Sequence, residues 1–142
     1  MLNITERIAD SAPCTASLTL PFELRQKSRQ RVQLDDGREA ALMLPRGVVL
    51  RGGDSLRADG GELIAVRAAM EAISTASGDD ARLLARAAYH LGNRHVPVQV
   101  GAGWLRYGRD HVLDDMLHGL GLSVRHEELP FEPESGAYQH GH

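Results

Sequence analysis

The chain holds one cysteine, Cys14, one lysine, Lys27, and one tryptophan, with aromatic residues only 4% of 142. A single thiol excludes an internal disulfide framework and a cysteine-based zinc cluster, and suits a reducing compartment. There is no apolar run near the ~20 residues that a membrane helix requires. Nor does Met1–Asp10 carry the charged-then-apolar pattern of a secretory segment, so the expected location is the cytoplasm. A net charge of −3 with so few aromatics argues against a general nucleic-acid binder. Also missing are a Gly-x-Ser-x-Gly elbow, a phosphate loop, a His-Glu-x-x-His helix and a dinucleotide fingerprint. No nucleophile–base pair can be assembled, and the chain does not read as an enzyme.

The residues that are present are unevenly distributed. Of the 16 basic residues all but Lys27 are arginines. All seven histidines, His90, His95, His111, His118, His126, His140 and His142, fall after residue 89. Imidazole is the side chain best suited to hold borderline metals without thiolates, so any metal chemistry belongs to the C-terminal half.

The first half reads as short strands. Leu18, Leu20 and Phe22 alternate with polar or turn residues. Arg31–Leu34 and Arg38–Leu44 flank Asp35-Asp36-Gly37, a hairpin turn in which Gly37 supplies positive φ. Val48–Leu50 and Glu62–Val66 are further strands, and no helical period occurs. Arg25, Lys27, Arg29 and Arg31 alternate and are expected on one face of an edge strand.

After residue 70 or so the period changes. Ala68–Ile73 is a strand, and Asp80 caps a helix with Leu84, Ala87, Ala88 and Leu91 on one face, stopped at Gly92-Asn93. Val96–Val100 and Trp104–Tyr107 are strands around a glycine turn. Asp110 caps a second helix whose apolar positions are Val112, Leu113, Met116, Leu117 and Leu120, and Leu122–Arg125 is a last strand. The order βαββαβ is that of a ferredoxin-like domain. The expected fold is therefore α+β: a β-rich domain at 1–72, a ferredoxin-like domain at 73–135 and a tail at 136–142.

Within that second domain, His111, Asp114, Asp115 and His118 cluster away from the apolar stripe of the second helix. His111 and Asp115, at i and i+4, can aim two donors at one ion, although such a group also describes an ordinary solvated face. His95 sits just past a helix stop, at an exposed corner. His90 is expected to be partly buried and His126 to lie on the surface. His140-Gly141-His142 places two imidazoles at the chain end, able to fold onto a metal held elsewhere.

These residues fall into ordered blocks: Leu34-Asp35-Asp36-Gly37-Arg38-Glu39, Leu50-Arg51-Gly52-Gly53-Asp54, Tyr89-His90-Leu91-Gly92-Asn93-Arg94-His95-Val96-Pro97-Val98-Gln99 and Asp110-His111-Val112-Leu113-Asp114-Asp115-Met116-Leu117. In these the chain resembles the urease accessory nickel metallochaperone family, UreE, over nearly its whole length. The resemblance implies a peptide-binding-like β domain, then a ferredoxin-like domain that forms a homodimer. It implies that His95 and its symmetry mate hold one Ni²⁺, that His140 and His142 complete or load that site, and that His111 belongs to a peripheral site. The second histidine of that peripheral site is replaced by Arg109, which cannot ligate and repels an incoming cation. The implied partners are a nickel-handling accessory GTPase and apo-urease, with no nucleic acid and no membrane; Zn²⁺ and Cu²⁺ suit the same imidazoles. The competing reading is a protein-interaction module in which metal binding is incidental.

Overall fold

The computed structural model describes residues 1–9 and 12–135. Its contacts divide them into two compact units, Met1–Ala69 and Met70–Ser135. The division falls at Ala69 because β6 (Leu63–Ala68) ends there and β7 (Met70–Ser77) begins, so the run read as one strand over 68–73 is the junction of two. Among the described residues, no helix is long and apolar enough to cross a membrane.

The first unit is a six-stranded sheet. Its strands are β1 (Leu2–Ile8), β2 (Ala16–Leu20), β3 (Arg29–Gln33), β4 (Glu39–Met43), β5 (Ser55–Ala58) and β6, in the order β2-β6-β5-β1-β4-β3. Ile4, Leu18, Leu42, Leu56, Ile64 and Val66 fill its core. The predicted turn joins β3 to β4: the N–H of Gly37 donates to the Leu34 carbonyl at 2.9 Å, and Gly37 has φ +95°. Asp35 then pins this turn to β2, its carboxylate accepting from Ser17 Oγ at 2.6 Å and Thr19 Oγ1 at 2.8 Å. The Ser17 bond is the largest influence holding the Asp35 carboxyl below its ordinary value.

Three expectations change. Phe22 does not extend a strand but opens α1 (Phe22–Arg25), because Pro21 lacks the donor a ladder needs and suits a helix start. Val48–Leu50 forms no strand; glycines at 47, 52 and 53 leave too short a run, and Leu50 is tied instead to Arg25. Arg25 itself is fully buried rather than lined up with Lys27, Arg29 and Arg31 on a solvated face. Its guanidinium donates to the carbonyls of Leu20 at 3.0 Å and Leu50 at 3.2 Å and lies over the Phe22 ring, 5.6 Å from the centroid.

The second unit has the predicted βαββαβ order: β7, α2 (Ala81–Asn93), β8 (Gln99–Gly101), β9 (Trp104–Gly108), α3 (His111–Leu120) and β10 (Ser123–Pro130). All pairings are antiparallel and the strand order is β10-β7-β9-β8, the ferredoxin-like arrangement. Ala76, Ala87, Leu91, Leu105, Tyr107, Leu113 and Leu117 form the core between helices and sheet. Asp80 and Asp110 cap the helices as read from the sequence: Asp80 accepts from the N–H of Arg82, and Asp110 from those of Val112 and Leu113. Val112, expected among the apolar core positions, is 52% exposed, since the inward face of α3 is made by Leu113, Asp114 and Leu117.

Removing the buried guanidinium should be costly, because it empties a filled core position and takes a donor from the Leu50 carbonyl and one of two from the Leu20 carbonyl. Arg25→Ala is expected to lower stability by about 2–4 kcal/mol, read as a shift of the urea midpoint by circular dichroism. A change below about 0.5 kcal/mol, the range of ordinary surface substitutions, would contradict the structural role assigned to Arg25.

Candidate metal centre

The most informative backbone in the chain is the end of α2. The N–H of Val96 donates to the Leu91 carbonyl at 3.1 Å and the N–H of His95 to that of Gly92 at 3.0 Å. This is a Schellman stop, with buried Leu91 and partly buried Val96 both packed in the unit's core. The motif demands a left-handed residue, a place usually filled by glycine. Here His95 fills it, with φ +59°, the only non-glycine at positive φ among the described residues. A left-handed conformation costs an L-residue about 1–2 kcal/mol. His95 is exposed, so no packing of its side chain offsets that cost. Backbone strain of this kind clusters at functional sites, which makes His95 a candidate.

The other candidates are spread over both helices and the chain end. His111 is the exposed first residue of α3, and Asp115, one turn on, is also exposed. Arg109 precedes the helix, 3.9 Å from Glu128 across to β10. His118 is exposed in the last turn of α3, where a cation is favoured by the helix dipole. His90 is half-buried and meets the Tyr89 ring edge-on at 5.3 Å. His140 and His142 lie outside the described residues. Among the described residues of one chain, no three His, Cys, Asp or Glu side chains come together in a group able to hold an ion.

Asp114 departs from its expected place, whereas His126 lies on the surface as expected. Asp114 is buried, not on the solvated face of α3. Its carboxylate accepts from Tyr107 Oη at 2.7 Å and from His126 Nε2 at 2.8 Å, joining α3 to β9 and β10. Because a carboxylate only accepts, Nε2 of His126 carries the proton. His126 is thus a hydrogen-bonding partner of the core, although its side chain remains 51% exposed. Burial on its own would push the Asp114 carboxyl up; the bonds from His126 and Tyr107, with the polar Ser74 hydroxyl adding to them, outweigh it and hold the group below its ordinary value. Burial first, and then Asp114, raise the Tyr107 phenol, consistent with its role as donor. Helical spacing alone could not reveal this network, because Asp114 borders the apolar stripe and its partners come from two strands.

The comparisons with known proteins agree with this architecture. Residues 3–69 match the family model described as UreE urease accessory protein, N-terminal domain. Residues 71–142 match the model described as UreE urease accessory protein, C-terminal domain. The chain belongs to the UreE family. Among proteins named "Urease accessory protein UreE", the one from Alkalilimnicola ehrlichii is 63% identical, over 97% of this chain and 85% of its own. The one from Enterobacter sp. strain 638 is 58% identical over 97% of this chain and 91% of its own. The one from Pseudomonas putida strain W619 is 60% identical over 98% and 87%. The two UreE domain models meet between residues 69 and 71, where the two compact units also divide.

Two substitutions probe this geometry. His95→Gly should raise the stability of the second unit by about 0.5–1 kcal/mol, the relief of left-handed strain less the entropy of glycine. Tryptophan fluorescence reads it directly, since Trp104 lies in that unit; a destabilisation would contradict the strain assigned to His95. For Asp114, the folded-state pKa is depressed, so its stabilisation is present above the unfolded value near 4. It is lost as pH falls through the lowered folded value. Asp114→Asn should therefore make the urea midpoint of that unit lower at pH 7 and less sensitive to acidification below pH ~4. An unchanged acid limb would contradict the network.

Proposed function

We propose that the chain is a non-catalytic nickel carrier for urease maturation, acting in the cytoplasm as a homodimer. The observation that carries this reading is His95: an exposed imidazole fixed by backbone hydrogen bonds in a conformation that favours glycine. One imidazole cannot hold an ion alone. A two-fold axis through this corner would bring a second His95 from another copy, so that one residue per chain supplies a paired donor set. Membership in the UreE family supports the same assignment, since the relatives' name ties them to urease assembly.

His140 and His142 then serve as auxiliary donors, and His111 as a weaker peripheral one beside Arg109. A carrier must release its cargo, and a site shared between chains and completed by tail residues opens more readily than a closed four-ligand cage. Neutral imidazoles bind while protonated ones do not, so affinity falls as pH drops toward 6. Copper binds such donors more tightly than nickel by the Irving–Williams order. Selectivity therefore rests on the receiving partners, a nickel-handling GTPase and apo-urease.

Calorimetric titration with Ni²⁺ tests the reading. His95→Ala should abolish high-affinity binding, whereas His140→Ala with His142→Ala should weaken it without abolishing it. Undiminished high-affinity binding by His95→Ala would overturn the assignment.

A further inference from the structure

Charge is segregated along the chain of the second unit. The protein has 19 Asp and Glu residues, yet none lies between Asp80 and Asp110, a stretch that holds Arg82, Arg86, Arg94, Arg106 and Arg109. α2 occupies the first part of that stretch. Successive helical residues turn by about 100°, so Arg82, Arg86, Tyr89 and Asn93 fall on one line along α2, opposite buried Ala87 and Leu91. All four are exposed, Tyr89 to 68%. Among the described residues, neither guanidinium is paired, and the Tyr89 ring meets only His90. The stripe is about 16 Å long and ends at Asn93, two residues before His95.

We propose that this stripe is the docking surface for the protein that receives the ion, and that the recipient meets it with an acidic patch. The inference rests on the nickel-carrier reading and adds to it the place where the recipient binds. Guanidinium groups do not help to hold a cation, but they recognise carboxylates, donating from a planar fork to both oxygens. Arg82 and Arg86, one turn apart, match two carboxylates about 6 Å apart, the spacing of residues i and i+4 on a partner helix. Tyr89 adds an exposed aromatic anchor in line with them, and Tyr and Arg are the residue types that dominate interface energetics. A second copy fits less well, because the stripe has no carboxylate to meet the other copy's arginines. The two-fold axis proposed above also passes through the His95 corner, away from Arg82 and Arg86. A net charge of −3 disfavours nucleic acid as the occupant. A recipient seated on the stripe reaches the His95 corner at its end.

The experiment measures binding of the full-length chain to two purified probes, the nickel-handling GTPase and apo-urease, by biolayer interferometry at low and physiological salt. Arg82→Glu with Arg86→Glu reverses the stripe, Tyr89→Ala removes its anchor, and Trp104 fluorescence confirms that each variant is folded. The native chain is expected to bind at least one probe, more weakly as salt rises. Charge reversal should weaken that binding about tenfold or more, and Tyr89→Ala about fivefold or more. Ni²⁺ affinity should stay within about twofold, since Arg86 and Arg82 start about 13 and 19 Å from His95 along the helix, beyond the ~8 Å screening length. Equal binding of native and reversed chains would overturn the proposal, as would failure of the native chain to bind either probe. So would a Ni²⁺ affinity that falls with docking, because the arginines would then act on the metal corner. A dimer that dissociates on reversal, read by sedimentation, would overturn it by making the stripe a contact between copies. A loss confined to a DNA duplex probe would do so by making it a nucleic-acid surface. His95→Ala, run in parallel, separates the two levels. Tight Ni²⁺ binding that survives it sinks the carrier reading, whereas His95-dependent binding with docking unchanged by reversal sinks only the stripe.

Discussion

The second unit turns on the hydrogen-bonded stop at the end of α2. Two backbone bonds, from Val96 to Leu91 and from His95 to Gly92, end the helix and leave the chain in a left-handed residue. The hydrophobic contact of Leu91 and Val96 with the core fixes where that residue falls. The stop constrains the downstream chain in turn: the strand entering at Gln99, its pairing with β9, and the returning segment that bonds to Val98 and Gln99. An imidazole set in this corner is placed by the backbone and needs no packing of its own. The proposed carrier role asks for a ligand presented in this way, accessible to a second chain and to a receiving protein.

The rest of the unit secures the scaffold under that corner. Tyr107 and the exposed His126 both bond the buried Asp114, at 2.7 and 2.8 Å, and so tie α3 to two strands. Histidines in one protein thus do unlike work. His126 spends a ring nitrogen on a carboxylate within the fold, His90 leans on a neighbouring ring, and His95 is left exposed. Counting imidazoles treats them as equals, and only their surroundings tell them apart.

Much of this architecture was legible in the residues. The Asp35-Asp36-Gly37 turn, the Asp80 and Asp110 caps and the 3.6-residue period of both helices are local signals, and each formed where it was read. β1 was not legible: its alternation fails where the register shifts between Ile4 and Glu6, which leaves three exposed residues in a central strand. Arg25 looked like one more surface cation because its acceptors are the carbonyls of Leu20 and Leu50, set by tertiary folding. The left-handed state of His95 has a faint local signal, a helix stop without glycine at the residue after Arg94. The bond from Glu132 to Gln99 has none, for it spans 33 residues.

The central claim is that His95 holds the ion between two chains. The number of tightly bound Ni²⁺ ions per chain, measured by equilibrium dialysis on His111→Ala protein, tests it most directly. The account predicts one ion for every two chains. One ion per chain would contradict it, since each His95 would then be completed within its own subunit.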